Sequence, residues 1–172
     1  MGWIESGQAW GERAADWACL MEPYARAAPT TRCLTAAGVG PGTRLLDIAC
    51  GYGYAASVAA GRGATVAGLD ASEALIAIAQ ARTPDADFRV GDMFELPFED
   101  DRFDVATSFN GIWKGCEDAV REARRVIRPG GVIRTSTPDL GLLGEAVGAG
   151  VRLDDHAEQV GRVHGSDVVE LQ

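Results

Sequence analysis

Four polar side chains lie at or near the ends of four apolar runs in this sequence of 172 residues: Asp47, Asp70, Asp92 and Asn110. Carboxylates accept hydrogen bonds from ammonium groups and from sugar hydroxyls, and they attract positive charge. In a parallel sheet the carboxyl ends of the strands meet at one edge, and ligands of such sheets bind there. The spacing therefore predicts that these side chains share one ligand site.

The first of these acids leads into a glycine turn. The apolar run at 44–48 suits a strand buried on both faces, and Gly51 and Gly53 suit a tight turn into a helix. Glycine permits positive φ and lets a ligand approach the backbone, while the helix that follows presents free N–H groups. The stretch from Thr43 to Gly53 is therefore interpreted as a nucleotide-binding turn.

Two classes of ligand use such a turn. Gly51, Gly53 and Ala56 satisfy the dinucleotide fingerprint G-x-G-x-x-G/A. Asp70 follows about 20 residues later, where a ribose-binding acid belongs. However, Asp47 would repel a pyrophosphate, whereas a sulfonium amino acid offers an ammonium group and a positively charged sulfur. Asp47 thus favours the second class, with Asp70 accepting hydrogen bonds from two ribose hydroxyls.

An adenine group would find suitable partners after the third predicted strand. Asp92 offers an acceptor for the exocyclic amine, and Met93 offers an apolar contact for the ring face. A nicotinamide-dependent oxidoreductase is the competing interpretation. It is disfavoured by Asp47 and by the absence of a Tyr-x-x-x-Lys pair.

The elements that must position these residues alternate between strand and helix. Strands are predicted at 44–48, 64–69, 88–90, 103–109 and 132–137, and helices at 54–60, 72–83 and 117–127. Parallel connections require crossovers, so this alternation predicts an α/β fold with a doubly wound, Rossmann-like parallel sheet of order 3-2-1-4-5. One domain is expected, made of a leading helical segment (1–40), a cofactor-binding core (43–137) and an uncertain tail (138–172).

The leading segment is predicted to contain two helices. The first spans Ala9 to Met21 and ends at Pro23, and the second spans Thr31 to Ala37 with Thr30 as its cap. Four side chains of this segment are candidates to line the site from above, although simple packing on the domain is the alternative for each: Trp10, Arg13, Trp17 and Tyr24.

Composition excludes several classes of protein. A net charge of −9 with a single lysine disfavours a nucleic-acid partner. No apolar run approaches the roughly 20 residues of a membrane-spanning helix. The four cysteines form no CxxC pair, so neither a metal site nor a disulfide framework is expected, and reduced thiols indicate a cytoplasmic protein.

An ordered series of motifs resembles the class I S-adenosylmethionine-dependent methyltransferases, particularly the small-molecule branch similar to ubiquinone and menaquinone biosynthesis enzymes. The series reads LDIACGYG, VAGLD, FRVGDMFELPFEDDRFD, TSFNG and RVIRPGG, and it covers roughly 44–137. The resemblance implies S-adenosyl-L-methionine as cofactor, a small-molecule acceptor, and a lid formed by the leading helices. It further implies which residues surround the cofactor. In order from its methionine part through ribose and adenine to the methyl group, these are Asp47, Ala49, Gly51, Gly53, Asp70, Ala71, Asp92, Met93, Asn110 and Gly111.

The sequence departs from the family pattern after the fifth strand. The family normally continues with an antiparallel pair of strands, but only 138–172 follow here, with a possible helix at Asp154 to Val160 and a brief apolar run at Val168 and Val169. A shortened C-terminal region is therefore expected, with that strand pair reduced or absent. Since an uncovered fifth strand would be an exposed edge, a homodimer that covers it is a natural hypothesis.

The catalytic group is left unassigned by the sequence. A base would help if the acceptor is a hydroxyl or an acidic carbon, and the only histidines are His156 and His164, in the tail, with Asp139 and Asp155 as equally unproven acids. A surface position without a role is the alternative for each histidine. The short C-terminal region also supports a second function, a partner or regulatory subunit that binds the cofactor without transferring methyl groups.

Overall fold

A computed structural model describes residues 2–27, 29–112, 115–137 and 167–171, and every structural statement below concerns these residues. Six helices and six strands are present in them. The helices are α1 (Trp3–Gly11), α2 (Ala14–Ala27), α3 (Pro29–Ala36), α4 (Tyr54–Gly61), α5 (Glu73–Arg82) and α6 (Glu117–Val126). The strands are β1 (Arg44–Ile48), β2 (Thr65–Asp70), β3 (Asp87–Val90), β4 (Phe103–Phe109), β5 (Ile127–Thr137) and β6 (Asp167–Leu171).

The sheet has the order β3-β2-β1-β4-β5-β6. Its first five strands are parallel, which confirms the predicted order 3-2-1-4-5 and the Rossmann-like class. The order reverses between β1 and β4, because the chain leaves β1 toward β2 and returns beside β1 only at β4. Ligands of open parallel sheets bind at this reversal.

The fifth strand is covered within the chain. β6 runs antiparallel to β5, with Thr135 opposite Val169. The antiparallel region, expected to be reduced or absent, thus consists of one strand beside β5 in the described residues. This strand contains the apolar run at Val168 and Val169. The expectation of an exposed β5 edge is wrong, and the structural reason given for a homodimer disappears with it.

The leading helices differ from the prediction. The single helix predicted from Ala9 to Met21 is two helices, α1 and α2, which are separated by a turn at 12–13. Pro23 does not end α2, which runs on to Ala27. A proline removes one hydrogen bond of a helix and can be accommodated within it, so its presence alone did not mark the end.

Both faces of the sheet are covered by apolar layers. Leu45, Leu46 and Ile48 of β1 are 0% exposed, as expected for a strand buried on both faces. On one face, Leu46 and Ile48 pack with the inner side of α6, represented by Val126. On the other face, Leu45 packs with residues of α3, α4 and α5. The carboxyl ends of the strands are therefore held rigidly from both sides.

Candidate functional site

The carboxyl edge of the sheet contains a cavity of about 580 Å³. Nine of the ten residues that the sequence predicts for the cofactor line it: Asp47, Ala49, Gly51, Asp70, Ala71, Asp92, Met93, Asn110 and Gly111. They come from the ends of β1, β2, β3 and β4, which are far apart in sequence. The sheet thus brings the predicted residues together as the strand alternation required.

Gly53 is the predicted residue that does not line the cavity. It begins α4 with φ of 74°, and a Cβ at this position would lie 2.7 Å from the Cβ of Ala79 on α5. Real Cβ atoms essentially never approach so closely, so glycine is required here for the packing of α4 against α5. A role of Gly53 toward a ligand stays a prediction.

Asp47 is an acid buried at the floor of the cavity. It is 2% exposed, and Oγ1 of Thr107 on β4 donates a hydrogen bond to its Oδ1 at 2.7 Å. Burial raises the pKa of Asp47 to about 7, because desolvation disfavours the charged carboxylate more than the Thr107 hydrogen bond favours it. Within the described residues no cation pairs with this carboxylate, so a ligand cation beside it would supply a charge partner.

Asp70 is fixed by backbone donors on both sides. Its Oδ2 accepts from the Gly51 N–H at 2.8 Å, and its Oδ1 accepts from the Ser72 N–H at 2.9 Å. Burial raises the pKa of this carboxyl group, and these backbone hydrogen bonds oppose the rise. A carboxylate has about four acceptor sites, so this group can still accept a further hydrogen bond from a ligand.

Asp92 and Met93 begin the connection between β3 and β4. The Phe94 N–H donates to Oδ1 of Asp92 at 2.9 Å, which fixes the carboxylate in a short turn. Met93 is partly buried and packs against the core cluster beneath. An acceptor and an apolar surface therefore lie side by side at this end of the cavity.

The ends of β1 and β4 have unusual backbone conformations. Ala49 has φ of 53° and Asn110 has φ of 62°, in the left-handed region that costs a non-glycine residue roughly 1–2 kcal/mol. A Cβ on Gly111 would lie 2.4 Å from the Cβ of Ala49. The two loops thus meet closely where the strand order reverses, and backbone strain of this kind is concentrated at functional sites.

Helices α1 and α2 form the roof of the cavity. Of the candidate side chains, Trp10 and Trp17 line it, and their rings are in edge-to-face contact with centroids 5.0 Å apart. Arg13 does not line it, because its guanidinium pairs with Asp16 in solvent. Tyr24 lies in α2, but its side chain is outside the described residues.

The roof contacts the site through a glycine. A Cβ on Gly7 of α1 would lie 1.9 Å from the carbonyl oxygen of Ala71, directly after Asp70. The absence of a side chain therefore lets α1 rest on the turn that carries Asp70. This close approach also brings Trp3 and Ser6 of α1 to the cavity wall.

Sequence reasoning missed part of the wall. Its unpredicted polar and aromatic members include Trp3, Ser6, Tyr52, Tyr54, Phe94 and Phe109. The two tyrosines alternate with the glycines of the predicted turn, a signal that could have placed them. Trp3 and Ser6 had no such signal, since they lie in a helix that the periodicity did not predict.

Several predictions fall on residues that the structure does not describe, namely His156, His164, Asp139 and Asp155. Within the described residues, no group of three or more His, Cys, Asp or Glu side chains could hold a metal ion. In the same residues, no helix is both long and apolar enough to cross a membrane.

The acidic side chains around the cavity fit S-adenosylmethionine. Three carboxylates, from Asp47, Asp70 and Asp92, face a cavity that no Arg, Lys or His of the described chain lines. The cofactor carries an ammonium group, a sulfonium, two ribose hydroxyls and an adenine amine, so each acid has a donor or a positive charge to bind. A dinucleotide pyrophosphate would instead face uncompensated negative charge.

Comparison with known proteins agrees with this fit. The family model "Methyltransferase domain" matches residues 46–135, which include the glycine turn and all the strand ends described above. The chain therefore belongs to this methyltransferase family, and it has the class I fold of the S-adenosylmethionine-dependent enzymes.

Individual relatives match the same central region. A "probable S-adenosylmethionine-dependent methyltransferase" of Mycolicibacterium smegmatis is 42% identical over 100 residues, which are 57% of this chain and 39% of that protein. The demethylmenaquinone methyltransferase of Renibacterium salmoninarum is 40% identical over 98 residues, 56% of this chain and 41% of that protein. The chain thus spans about two-fifths of the length of these curated relatives.

The fold extends beyond the matched region. A chain in the complex between the Haloferax volcanii Trm112 methyltransferase activator and a methyltransferase superposes with a TM-score of 0.75 at 20% identity. The superposition covers 94% of this chain and 96% of that one. At this identity the likeness shows a shared fold.

Proposed function

We propose that this protein transfers a methyl group from S-adenosylmethionine to a small molecule with an apolar body. The observation that carries the proposal is the arrangement of three carboxylates around one cavity beneath a roof of tryptophans. In this assignment the cofactor supplies an activated methyl group, and the protein supplies binding and alignment.

Each strand end has one binding task in this proposal. Asp47, buried beside Thr107, binds the ammonium group, and Asp70, held by the Gly51 and Ser72 N–H groups, binds the ribose hydroxyls. Asp92 accepts from the adenine amine, and Met93 contacts the ring. Asn110 and Gly111, at the end of β4, border the methyl group and the mouth of the acceptor site.

The roof determines which acceptors fit. Trp3, Trp10, Trp17 and Met21 offer an apolar and aromatic surface. The acids below them would repel a phosphorylated acceptor, so an uncharged ring compound is favoured. The name of the Renibacterium relative, demethylmenaquinone methyltransferase, gives one acceptor to test.

The chain's contribution to the reaction is alignment and exclusion of water. Holding an acceptor in line with a transferable group converts a bimolecular step into an effectively unimolecular one. α1 and α2 cover the cavity, and Gly7 allows α1 to rest directly on the cofactor-binding turn. A cytoplasmic location is part of the same proposal, supported by four cysteines that are all free.

The test is a calorimetric titration with S-adenosylhomocysteine, with NADH as the comparison ligand. Micromolar binding of S-adenosylhomocysteine alone is expected, because the acids suit its ammonium group and exclude the pyrophosphate of NADH. Binding of NADH, or of neither ligand, would contradict the proposal.

A second candidate is the cofactor-binding partner subunit without transferase activity. The observation that favours it is the fold match to a chain from a complex of a methyltransferase with its activator, since this fold occurs there in an assembly of two proteins. It predicts S-adenosylhomocysteine binding without turnover of demethylmenaquinone or any other apolar acceptor. Methyl transfer to such an acceptor by the isolated chain would exclude it.

A further inference from the structure

The connection between β3 and β4, residues 91–102, carries the adenine-binding candidates Asp92 and Met93. On the β3 side, the ladder and a hydrogen bond from the Gly91 N–H to the Asp70 carbonyl, at 3.0 Å, fix the start of the connection. Farther along, Leu96 and Phe98 insert into the core cluster under the sheet. Asp92 therefore lies between two anchored points, Gly91 at the end of β3 and Leu96 in the core.

Leu96 is held by two side chains of α6. Oε2 of Glu122 accepts from the Leu96 N–H at 2.8 Å, and Nη2 of Arg125 donates to the Leu96 carbonyl at 2.9 Å. Both backbone groups of Leu96 are thus satisfied by residues one helical turn apart. Nη1 of Arg125 also donates to the Phe98 carbonyl at 2.8 Å.

The two side chains also hold each other. Arg125 donates from Nε to Oε1 of Glu122 at 2.8 Å and from Nη2 to Oε2 at 2.7 Å. This is the paired, charge-assisted geometry that a planar guanidinium makes with a carboxylate and that a lysine cannot reproduce. The pair is only partly exposed, with 32% of the Arg125 and 21% of the Glu122 side chain accessible. It therefore differs from a solvated surface ion pair.

We infer that Glu122 and Arg125 are positioning residues for adenine recognition, because together they hold the turn that presents Asp92. This inference rests on the proposed function and specifies one part of it, the selectivity for the base. Neither side chain lines the cavity, so their effect on a ligand passes through Leu96 and the turn before it.

A neighbouring arginine provides a matched control. Arg121 lies one turn earlier on α6, pairs with Asp118 in solvent, and has 68% of its side chain exposed. Replacing it by lysine makes the same exchange on the same helix as Arg125→Lys, without touching the connection between β3 and β4. Arg89 of β3 donates to the Pro97 carbonyl at 2.7 Å. None of the α6 substitutions removes this donor, so the connection should stay attached at this point.

The experiment compares Arg125→Lys, Glu122→Gln and Arg121→Lys with wild type by titration with S-adenosylhomocysteine and S-inosylhomocysteine. The second ligand replaces the adenine amine by a carbonyl, which Asp92 would repel. Wild type and Arg121→Lys should prefer the adenine compound by at least tenfold. Arg125→Lys should lower that preference about fivefold or more, and Glu122→Gln should lower it less, because its amide oxygen can still accept from Leu96.

Hydrogen exchange of the ligand-free protein gives a second readout. The Leu96 amide should exchange at least tenfold faster in Arg125→Lys than in Arg121→Lys, when each variant is measured at the same interval below its own melting temperature. If Arg125→Lys does not fold, Glu122→Gln carries both comparisons. If the Glu122 and Arg125 variants keep the wild-type preference for adenine, or keep the wild-type exchange rate of the Leu96 amide, the positioning role is wrong while the proposed function stands. Failure of wild type to bind S-adenosylhomocysteine would overturn the proposed function, and the positioning role with it.

Discussion

Aspartate residues at the two ends of the sheet lie in opposite electrostatic environments. At the carboxyl end, Asp47 is buried, and its carboxylate accepts a hydrogen bond from the hydroxyl of Thr107. At the amino end, Asp104 binds two arginines, with Arg44 at 3.0 Å and Arg128 at 2.6 Å. One acid lacks a cation among the described residues that surround the cavity, and the other has two.

The pKa values of the two groups move in opposite directions for this reason. Burial raises the pKa of Asp47 to about 7. The hydrogen bond from Arg44, aided by that from Arg128, lowers the pKa of Asp104 below its usual range despite partial burial. The amino end is thus electrostatically complete, whereas the carboxyl end is prepared for a positively charged ligand.

The largest expected effect is the pH dependence introduced by Asp47. Because its folded pKa exceeds its unfolded pKa of about 4, its stabilising contribution is complete below pH 4 and is lost as pH rises through 7. Urea unfolding of the ligand-free protein should therefore show wild type losing roughly 3 kcal/mol relative to Asp47→Asn between pH 5 and pH 8. Parallel pH profiles of the two proteins would refute the assignment.

Cofactor binding should show the reverse trend for the same group. Only the ionised carboxylate attracts the ammonium group, so the affinity of wild type for S-adenosylhomocysteine should rise with pH up to about 7 and then level off. Asp47→Asn should bind more weakly and lack this rise.

The second expected effect separates binding from folding. Asp70→Ala removes the carboxylate proposed to hold the ribose and should weaken S-adenosylhomocysteine binding by about 1.5–3 kcal/mol, the loss typical of a charged hydrogen-bonding partner. Calorimetric titration measures it, with Asp104→Asn as the control that should bind as wild type does. Equal losses of affinity in Asp70→Ala and Asp104→Asn would mean that the carboxyl and amino ends of the sheet do not differ in function.

The sequence predicted which residues meet at the carboxyl edge of the sheet because each strand end is a local pattern. An apolar run followed by Asp or Asn places that residue at the carboxyl end of a strand, and strand alternation then brings Asp47, Asp70 and Asp92 together. Gly53 shows the limit of this reasoning, since a glycine required for helix packing has the same local signature as one that faces a ligand.

The Gly7 contact of the roof and the ion pair of Glu122 and Arg125 on α6 were not predictable in the same way. Gly7 reads as a weak point in a helix, and only the carbonyl of Ala71 against it reveals a close contact. Arg125 belongs to a helix segment rich in arginine, yet it binds two backbone carbonyls far away in sequence. Both depend on tertiary contacts that no periodicity encodes.

The smallest expected effect belongs to the amino end and has the opposite sign with pH. Asp104→Asn weakens a partly exposed network, so solvent screening limits the loss of unfolding free energy to about 1 kcal/mol, a shift of a few degrees in melting temperature. Because the pKa of Asp104 is lowered in the fold, its contribution is present above about pH 4 and is lost as pH falls further. Thermal unfolding should therefore show that the melting temperatures of wild type and Asp104→Asn differ at pH 7 and converge toward pH 2. For Asp47→Asn, by contrast, the difference from wild type should change between pH 5 and pH 8. Convergence of the Asp104 pair at neutral pH instead would show that its arginines do not stabilise the sheet.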